Sequence, residues 1–281
     1  MRLFNAKEMM DTAVAKGYAI AAINTNGGTY DITRAILEAA DELRAPIIVQ
    51  AFAPNLVYRG YDYFVKQVKH LAEGLDIPIC ISLDHGKDID SIMHAVRAGF
   101  THVMFDYAGH PIEKNIEYTN LVRSLVRPLN ISLEAEIGVI SSSADKSAAP
   151  VTPLEDIKTF LGAADIDLLA FGVGTSHGIF DKQESIDFEH IKTVRQAVDI
   201  PLVLHGTCGI SMQDISGCVR AGMSKINFGE GVRVNYIKYF LECSQTIDHE
   251  HHPWRIMEAA KDKLKDYVKE LICAVGSDGK A

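Results

Sequence analysis

PICISLDHG, residues 78–86, opens with the short apolar run PICISL (78–83), which begins on a proline, and ends on an aspartate–histidine pair followed by glycine. A run this short and this rich in Ile and Leu reads as a strand buried on both faces, the kind found in parallel sheets. Asp84 and His85 fit no such core. At the end of a strand they point into whatever mouth the strand opens on.

The same form recurs outward from this stretch. AIAAIN (19–24), PIIVQA (46–51), HVMFD (102–106), ISLEAE (131–136), DLLAFG (167–172), PLVLHG (201–206) and SKINFG (224–229) bring the total to eight runs. Between them lie segments with helical apolar spacing, such as TYDITRAILEAADELRA (29–45) and SIDFEHIKTVRQAV (185–198). Pro46, Pro78 and Pro201 each stop a helix just before a strand begins. Strand and helix alternating in this way predict a parallel sheet with right-handed crossovers. Eight units in 281 residues suit a closed (β/α)8 barrel better than an open doubly wound sheet. No GxGxxG turn follows 19–24 or 46–51, where an open dinucleotide-binding sheet would carry one.

One extra helix precedes the first strand, with Asn5 as its N-cap and Glu8 three residues on. Two more, 231–246 and 254–273, follow the eighth strand and flank the polar segment QTIDHEHHP (245–253), whose HEHH cluster reads as a solvated loop. The tract VISSSADKSAAPVTP (139–153) has neither periodicity and leaves strand five at the mouth, so it is expected to act as a mobile lid. Nothing divides the chain, and residues 1–281 are expected to form one domain.

A net charge of −9 argues against a nucleic acid or an anionic membrane surface as partner. The five cysteines show no paired spacing and read as reduced thiols. The N-terminus lacks the apolar core of a signal peptide, and no run reaches the roughly 20 apolar residues of a membrane span. A cytoplasmic protein is expected.

His85, His177 and His205 each follow a strand-like run, and each is followed by glycine. Three imidazoles form a zinc set with one coordination position left open. Asn24, Asp84, Asp106, Glu134, Glu136 and Asn227 add polar groups at or near further strand ends. Buried charges at so many strand ends are costly unless paired or metal-bound.

With these residues in place, the sequence resembles the class II, zinc-dependent aldolases, the fructose- and tagatose-bisphosphate aldolase family. The likeness runs in order through AINTN (22–26), LDHG (83–86), LEAEIG (133–138), GTSHG (174–178), LHGTCG (204–209) and KINFGEG (225–231). The resemblance implies that His85, His177 and His205 hold a catalytic zinc and that Asp84 transfers the proton beside the bond being broken. Asp106 and Glu136 match positions that hold displaced zinc in relatives or support its ligands. Asn24, Gly178, Gly206 and Asn227 match substrate-contact positions, and the glycines often border a monovalent cation (Na+ or K+). A sugar substrate, a homo-oligomer (dimer or tetramer) and reversible retro-aldol cleavage of a ketose or ketose phosphate through a metal-stabilised enediolate are implied with them. No lysine ends a strand to serve as a Schiff base, which agrees with metal chemistry.

Two departures bear on the substrate. Cys208 stands where relatives carry the serine of HGxSG, and Glu230 where they carry a threonine; both positions normally help seat the donor phosphate. A carboxylate close to a phosphate dianion repels it by on the order of 1–4 kcal/mol. The expectation is a donor end without phosphate, its hydroxyl bonded to Glu230. Ala108 replaces a family serine after strand four. The lid offers only Asp145 for the donor's carbon-bound proton, and Lys265 is the candidate for a phosphate at the far end. Rival readings are a metal-dependent sugar epimerase or isomerase, and a zinc-binding relative that serves as a non-catalytic partner subunit.

Overall fold

The computed structural model describes residues 3–138, 140, 150–179, 186–247 and 252–281. Eight parallel strands pair in chain order and close: β1 (Ile20–Asn24), β2 (Ile47–Phe52), β3 (Ile79–Gly86), β4 (His102–Phe105), β5 (Ser132–Ile137), β6 (Leu168–Phe171), β7 (Leu202–Leu204) and β8 (Met223–Phe228). The fold is the expected (β/α)8 barrel. Helix α1 (Ala6–Lys16) precedes β1. Helices α2 (Tyr30–Glu42), α3 (Tyr61–Leu71), α4 (Ile89–Ala98), α5 (Ile112–Val126), α6 (Leu154–Leu161), α7 (Phe188–Ala197) and α8 (Met212–Ala221) link successive strands. After β8 come α9 (Glu230–Thr246) and α10 (Pro253–Ala274).

Alternate strand residues face opposite sides, and the barrel sorts them into two cores. Ile79, Ile81 and Leu83 of β3 pack outward under the helices. Cys80 faces inward, with Ile20, Ala22, Ile48, Met104, Leu168, Ala170 and Val203. Ala6, Met9, Met10 and Ala13 of α1 join that inner set. The Phe4 N–H donates to Ile79 O at the start of β3, and the Ala6 N–H to Ser132 Oγ at the start of β5. Helix α1 therefore plugs the N-terminal ends of the strands. Its own start is set as expected, with the Asn5 side chain accepting from the Glu8 N–H. The opposite ends of the strands are left for chemistry, the arrangement general to such barrels.

Two strand ends depart from the sequence reading. Strand β3 runs on to Gly86, with its register on β4 shifting between Leu83 and Gly86. Strand β7 stops at Leu204, so His205 has already left the ladder. Among the described residues, no helix is long and apolar enough to cross a membrane.

Candidate active site

The C-terminal strand ends converge on a cleft of about 350 Å³. Asp84 and His85 are consecutive, and in a regular strand one of them would face the helices. His85 avoids this with φ of +50°, which breaks the alternation where the β3 register shifts. Both side chains therefore open into the cleft. Gly86 makes the bend possible, because a Cβ there would lie 2.8 Å from Ile92 Cδ1 and 3.1 Å from Met104 O. On the other side of the mouth, Gly206 has φ of +67°, and a Cβ would come within 2.7 Å of Ser176 O. That close approach brings the His177 loop and the His205 turn together.

One ring nitrogen from each of His85, His177 and His205 lies within 4.8 Å of the others. His85 Nδ1 sits 2.8 Å from Asp106 Oδ2, and His205 Nε2 sits 2.9 Å from Glu134 Oε1. A carboxylate holding one ring nitrogen is the usual support of a metal-ligating histidine. His177 adds a stronger observation, because its Nε2 is buried with no hydrogen-bond partner among the described residues. Leaving such an atom unsatisfied costs about 1–3 kcal/mol. A metal at the centre of the triad would satisfy it, and three imidazoles with an open position suit zinc. The residues present fit the ion. Asp106 and Glu136 form a second metal-capable set with His85.

Electrostatics agree. Burial alone would depress His85, yet Asp84, the Asp106 hydrogen bond and Glu136 outweigh it and hold the imidazole up at about 9. Burial, with Asp106 adding to it, pushes Glu136 up to about 8. Asp106 resists its own burial through its bond to His85 and drops to about 2. Burial and the neighbouring imidazoles hold His177 well below its ordinary value, and burial lowers His205. The neighbouring carboxylates thus favour a proton on His85, and burial favours one on Glu136.

Asp84 is clamped from both sides. Asn24 Nδ2 donates to Oδ2 at 3.1 Å, Asn227 Nδ2 donates to Oδ1 at 3.3 Å, and Oδ1 lies 3.9 Å from His85 Nε2. A carboxylate held at the rim of a metal-capable centre can take a proton from a substrate hydroxyl and return it.

Of the expected contact residues, Asn24, Gly206, Asn227 and Glu230 line the cleft, as does Ala108. Cys208 lines a separate cavity of about 50 Å³ behind it, beside Gly231 and Tyr267. Gly178 follows His177 but is not part of the cleft lining among the described residues. Asp145 and most of the expected lid, like His251 and the rest of the segment 248–251, lie outside the described residues. Lys265 is not brought to the cleft. It lies in the seam between α10 and α2, 2.8 Å from Glu42 Oε1, because α10 packs along α2.

Sequence reasoning passed over several groups. Lys87 and Arg233 line the cleft as its only lysine and arginine among the described residues, and Gln50 lines it with a buried Oε1 that has no partner. Beneath the cleft, Lys225 is almost wholly buried beside Glu134 and His102. The signal for Lys225 was its spacing: two residues before Asn227 on one strand, it must share Asn227's face.

A family model described as class-II fructose-bisphosphate aldolase matches residues 4–280. A sulfofructosephosphate aldolase from Alkalicoccus urumqiensis is 29% identical over 286 residues, covering 100% of this chain and 99% of that one. Among solved structures, the YdjI aldolase from Escherichia coli K12 superposes with a TM-score of 0.88 at 27% identity over 100% of both chains. A fructose-bisphosphate aldolase from Campylobacter jejuni shares the fold, with a TM-score of 0.85 at 19% identity over 99% of this chain and 97% of that one.

Proposed function

The chain belongs to the class-II fructose-bisphosphate aldolase family and is a lyase of the aldolase type; from that premise we propose a zinc-dependent enzyme cleaving or forming a ketose, with Asp84 moving the proton. His85, His177 and His205 are the ligands in this reading. Zinc bound to them would act as a Lewis acid toward the donor carbonyl. Asp84 takes the proton from the hydroxyl whose carbon becomes the aldehyde, and returns it in the condensation direction. The two carboxamides of Asn24 and Asn227 each hold one of its oxygens at the rim of the cleft. Asp106 and Glu136 support the ligand shell. The observation that carries the proposal is the orphaned Nε2 of His177 inside the three-histidine cluster, with Asp84 at its rim.

The substrate follows from the charges of the walls. Glu230 opens α9 and lines the cleft next to Gly229, so a carboxylate stands where a helix N-terminus would otherwise attract an anion. The donor end is therefore a neutral, hydroxyl-bearing group. Lys87 and Arg233 supply positive charge for an anionic substituent elsewhere on the substrate, and the name of the sulfofructosephosphate relative supports a substrate carrying such a group. The proposal includes a cytoplasmic homo-oligomer. The exposed apolar side chains Ile237, Leu241 and Trp254 on α9 and α10 support self-association.

The test strips the protein with a chelator, reloads it with zinc, and screens ketoses with phosphorylated and free donor ends for aldehyde release. Loss on stripping, recovery with zinc and two product fragments are expected. One isomeric product instead of two fragments would indicate epimerisation, and activity indifferent to chelation would refute the metal assignment.

A further inference from the structure

We infer that Lys225 is a positioning residue that sets the hydrogen-bond polarity beneath the site, holding Glu134 as acceptor for His205 and turning the Asn227 amide nitrogen toward Asp84. Three fully buried groups of opposite character meet here. Lys225 is 1% exposed, and Glu134 and His102 are 0% exposed. Lys225 Nζ lies 2.8 Å from Glu134 Oε2 and donates to Asn227 Oδ1 at 2.7 Å. A buried ammonium requires a buried anion, since removing both from water is repaid only by close pairing.

As a carboxylate, Glu134 can only accept hydrogen bonds. The two imidazoles that reach it, His102 Nε2 at 3.2 Å and His205 Nε2 at 2.9 Å, must therefore both present N–H. With its Nε2 committed, His205 keeps a lone pair on Nδ1 alone. The directions remain consistent to the far end of the barrel. His102 Nδ1 accepts from the Ser132 hydroxyl at 2.9 Å, and Ser132 Oγ accepts from the Ala6 N–H at 2.9 Å.

The second consequence concerns Asn227. An amide oxygen and nitrogen are close to isosteric, so only partners decide which way the group faces. Lys225 takes the oxygen, which leaves Nδ2 to face Asp84 Oδ1 at 3.3 Å and the His205 ring, where Nδ1 lies 3.3 Å away. Reversed, the amide would aim an oxygen at a carboxylate. One lysine thus decides both which nitrogen His205 offers and which atom of Asn227 meets the proton-transfer group.

The effect on metal rests on the proposed ligand role of His205, whereas the tautomer does not. Long-range 1H–15N correlation spectra of the metal-free protein with 15N-labelled histidine should show His205 and His102 as Nε2–H tautomers. His205 found as the Nδ1–H form, or doubly protonated at neutral pH, overturns the inference. The double variant Lys225→Met/Glu134→Leu removes both charges at once and leaves His205 Nε2 without its acceptor. Zinc affinity by chelator competition should weaken about 10–100-fold, and the visible absorption of the cobalt-loaded protein should shift. Wild-type zinc affinity and an unchanged cobalt spectrum in the double variant would mean the pair is merely structural and overturn the inference. Wild-type protein that binds no zinc would instead refute the functional reading and leave the tautomer result standing.

Discussion

Replacing Asp84 with asparagine separates proton transfer from metal binding. The carboxylate accepts from Asn24 Nδ2 at 3.1 Å and from Asn227 Nδ2 at 3.3 Å. Asparagine is nearly the same shape but keeps one acceptor oxygen and turns an NH2 toward the other donor. One buried bond is lost, at a cost of about 1–3 kcal/mol. In a chain this long each kcal/mol lowers Tm by roughly 2–4 °C, so the variant folds at ordinary temperature. The three imidazoles are untouched, and zinc content should stay close to that of the wild type. The catalytic loss is expected to be larger. Without its proton-transfer group the reaction should slow about 10²–10⁴-fold, roughly 3–5.5 kcal/mol of barrier. The assay pairs metal analysis with initial rates of aldehyde release, measured over a substrate range that separates kcat from KM. The drop should fall on kcat. Turnover within tenfold of wild type at full zinc would refute the assignment. Zinc lost in parallel with activity would show that Asp84 maintains the ligand shell instead.

Zinc binding should expel protons. His85 held up at about 9 and Glu136 at about 8 both carry a proton at pH 7, and a ligating imidazole must be neutral, so affinity should rise from pH 7 to 9. Calorimetry at pH 7 in buffers of different ionisation enthalpy should find about one to two protons released; none released contradicts the charge state described. Glu230→Thr should gain activity toward ketoses with a phosphorylated donor end by roughly 5- to 10³-fold, the equivalent of removing about 1–4 kcal/mol of repulsion. No change in the ratio of kcat/KM values for phosphorylated and free donors would eliminate Glu230 as the discriminator. Gly206→Ala forces a Cβ to within 2.7 Å of Ser176 O at a positive φ, and should loosen the His177–His205 spacing with about 1–3 kcal/mol of strain; unchanged zinc affinity by competition would argue against it. Met10→Ala, at the barrel plug, should cost about 2–5 kcal/mol in denaturant unfolding and leave KM unaltered.

Much of the fold was legible because its signals are local. Eight apolar runs, three of them preceded by proline, predict eight parallel strands, and each run overlaps its strand in the barrel. Strand limits were legible only to within a few residues. The extension of β3 through His85 depends on a left-handed residue and a register shift against β4, neither of which apolar periodicity records. In the site, the histidines and Asp84 stood out because polar groups interrupt apolar runs. Arg233 and Lys87 did not, since a charge on a helix or loop looks the same whether it faces a cleft or solvent. Lys265 misled for the same reason, and its helix turned it into an ion pair with Glu42.

The chain by itself determined the repeating strand–helix order, the inventory of metal-capable and acid–base groups, and the order in which strands deliver them. These depend on residues adjacent in sequence and on periods of 2 and 3.6 that any reading can follow. Tertiary structure alone decided how those groups meet. Closure of the barrel brings Asn227 against Asp84 across 143 residues, and the neighbouring strands β5 to β7 bring Glu134 against His205 across 71. Whether a buried lysine faces a carboxylate or an apolar wall depends on the stagger of strands far apart in the chain. Hydrogen-bond polarity is a property of the assembled barrel, because a donor has no direction until its acceptor is in place.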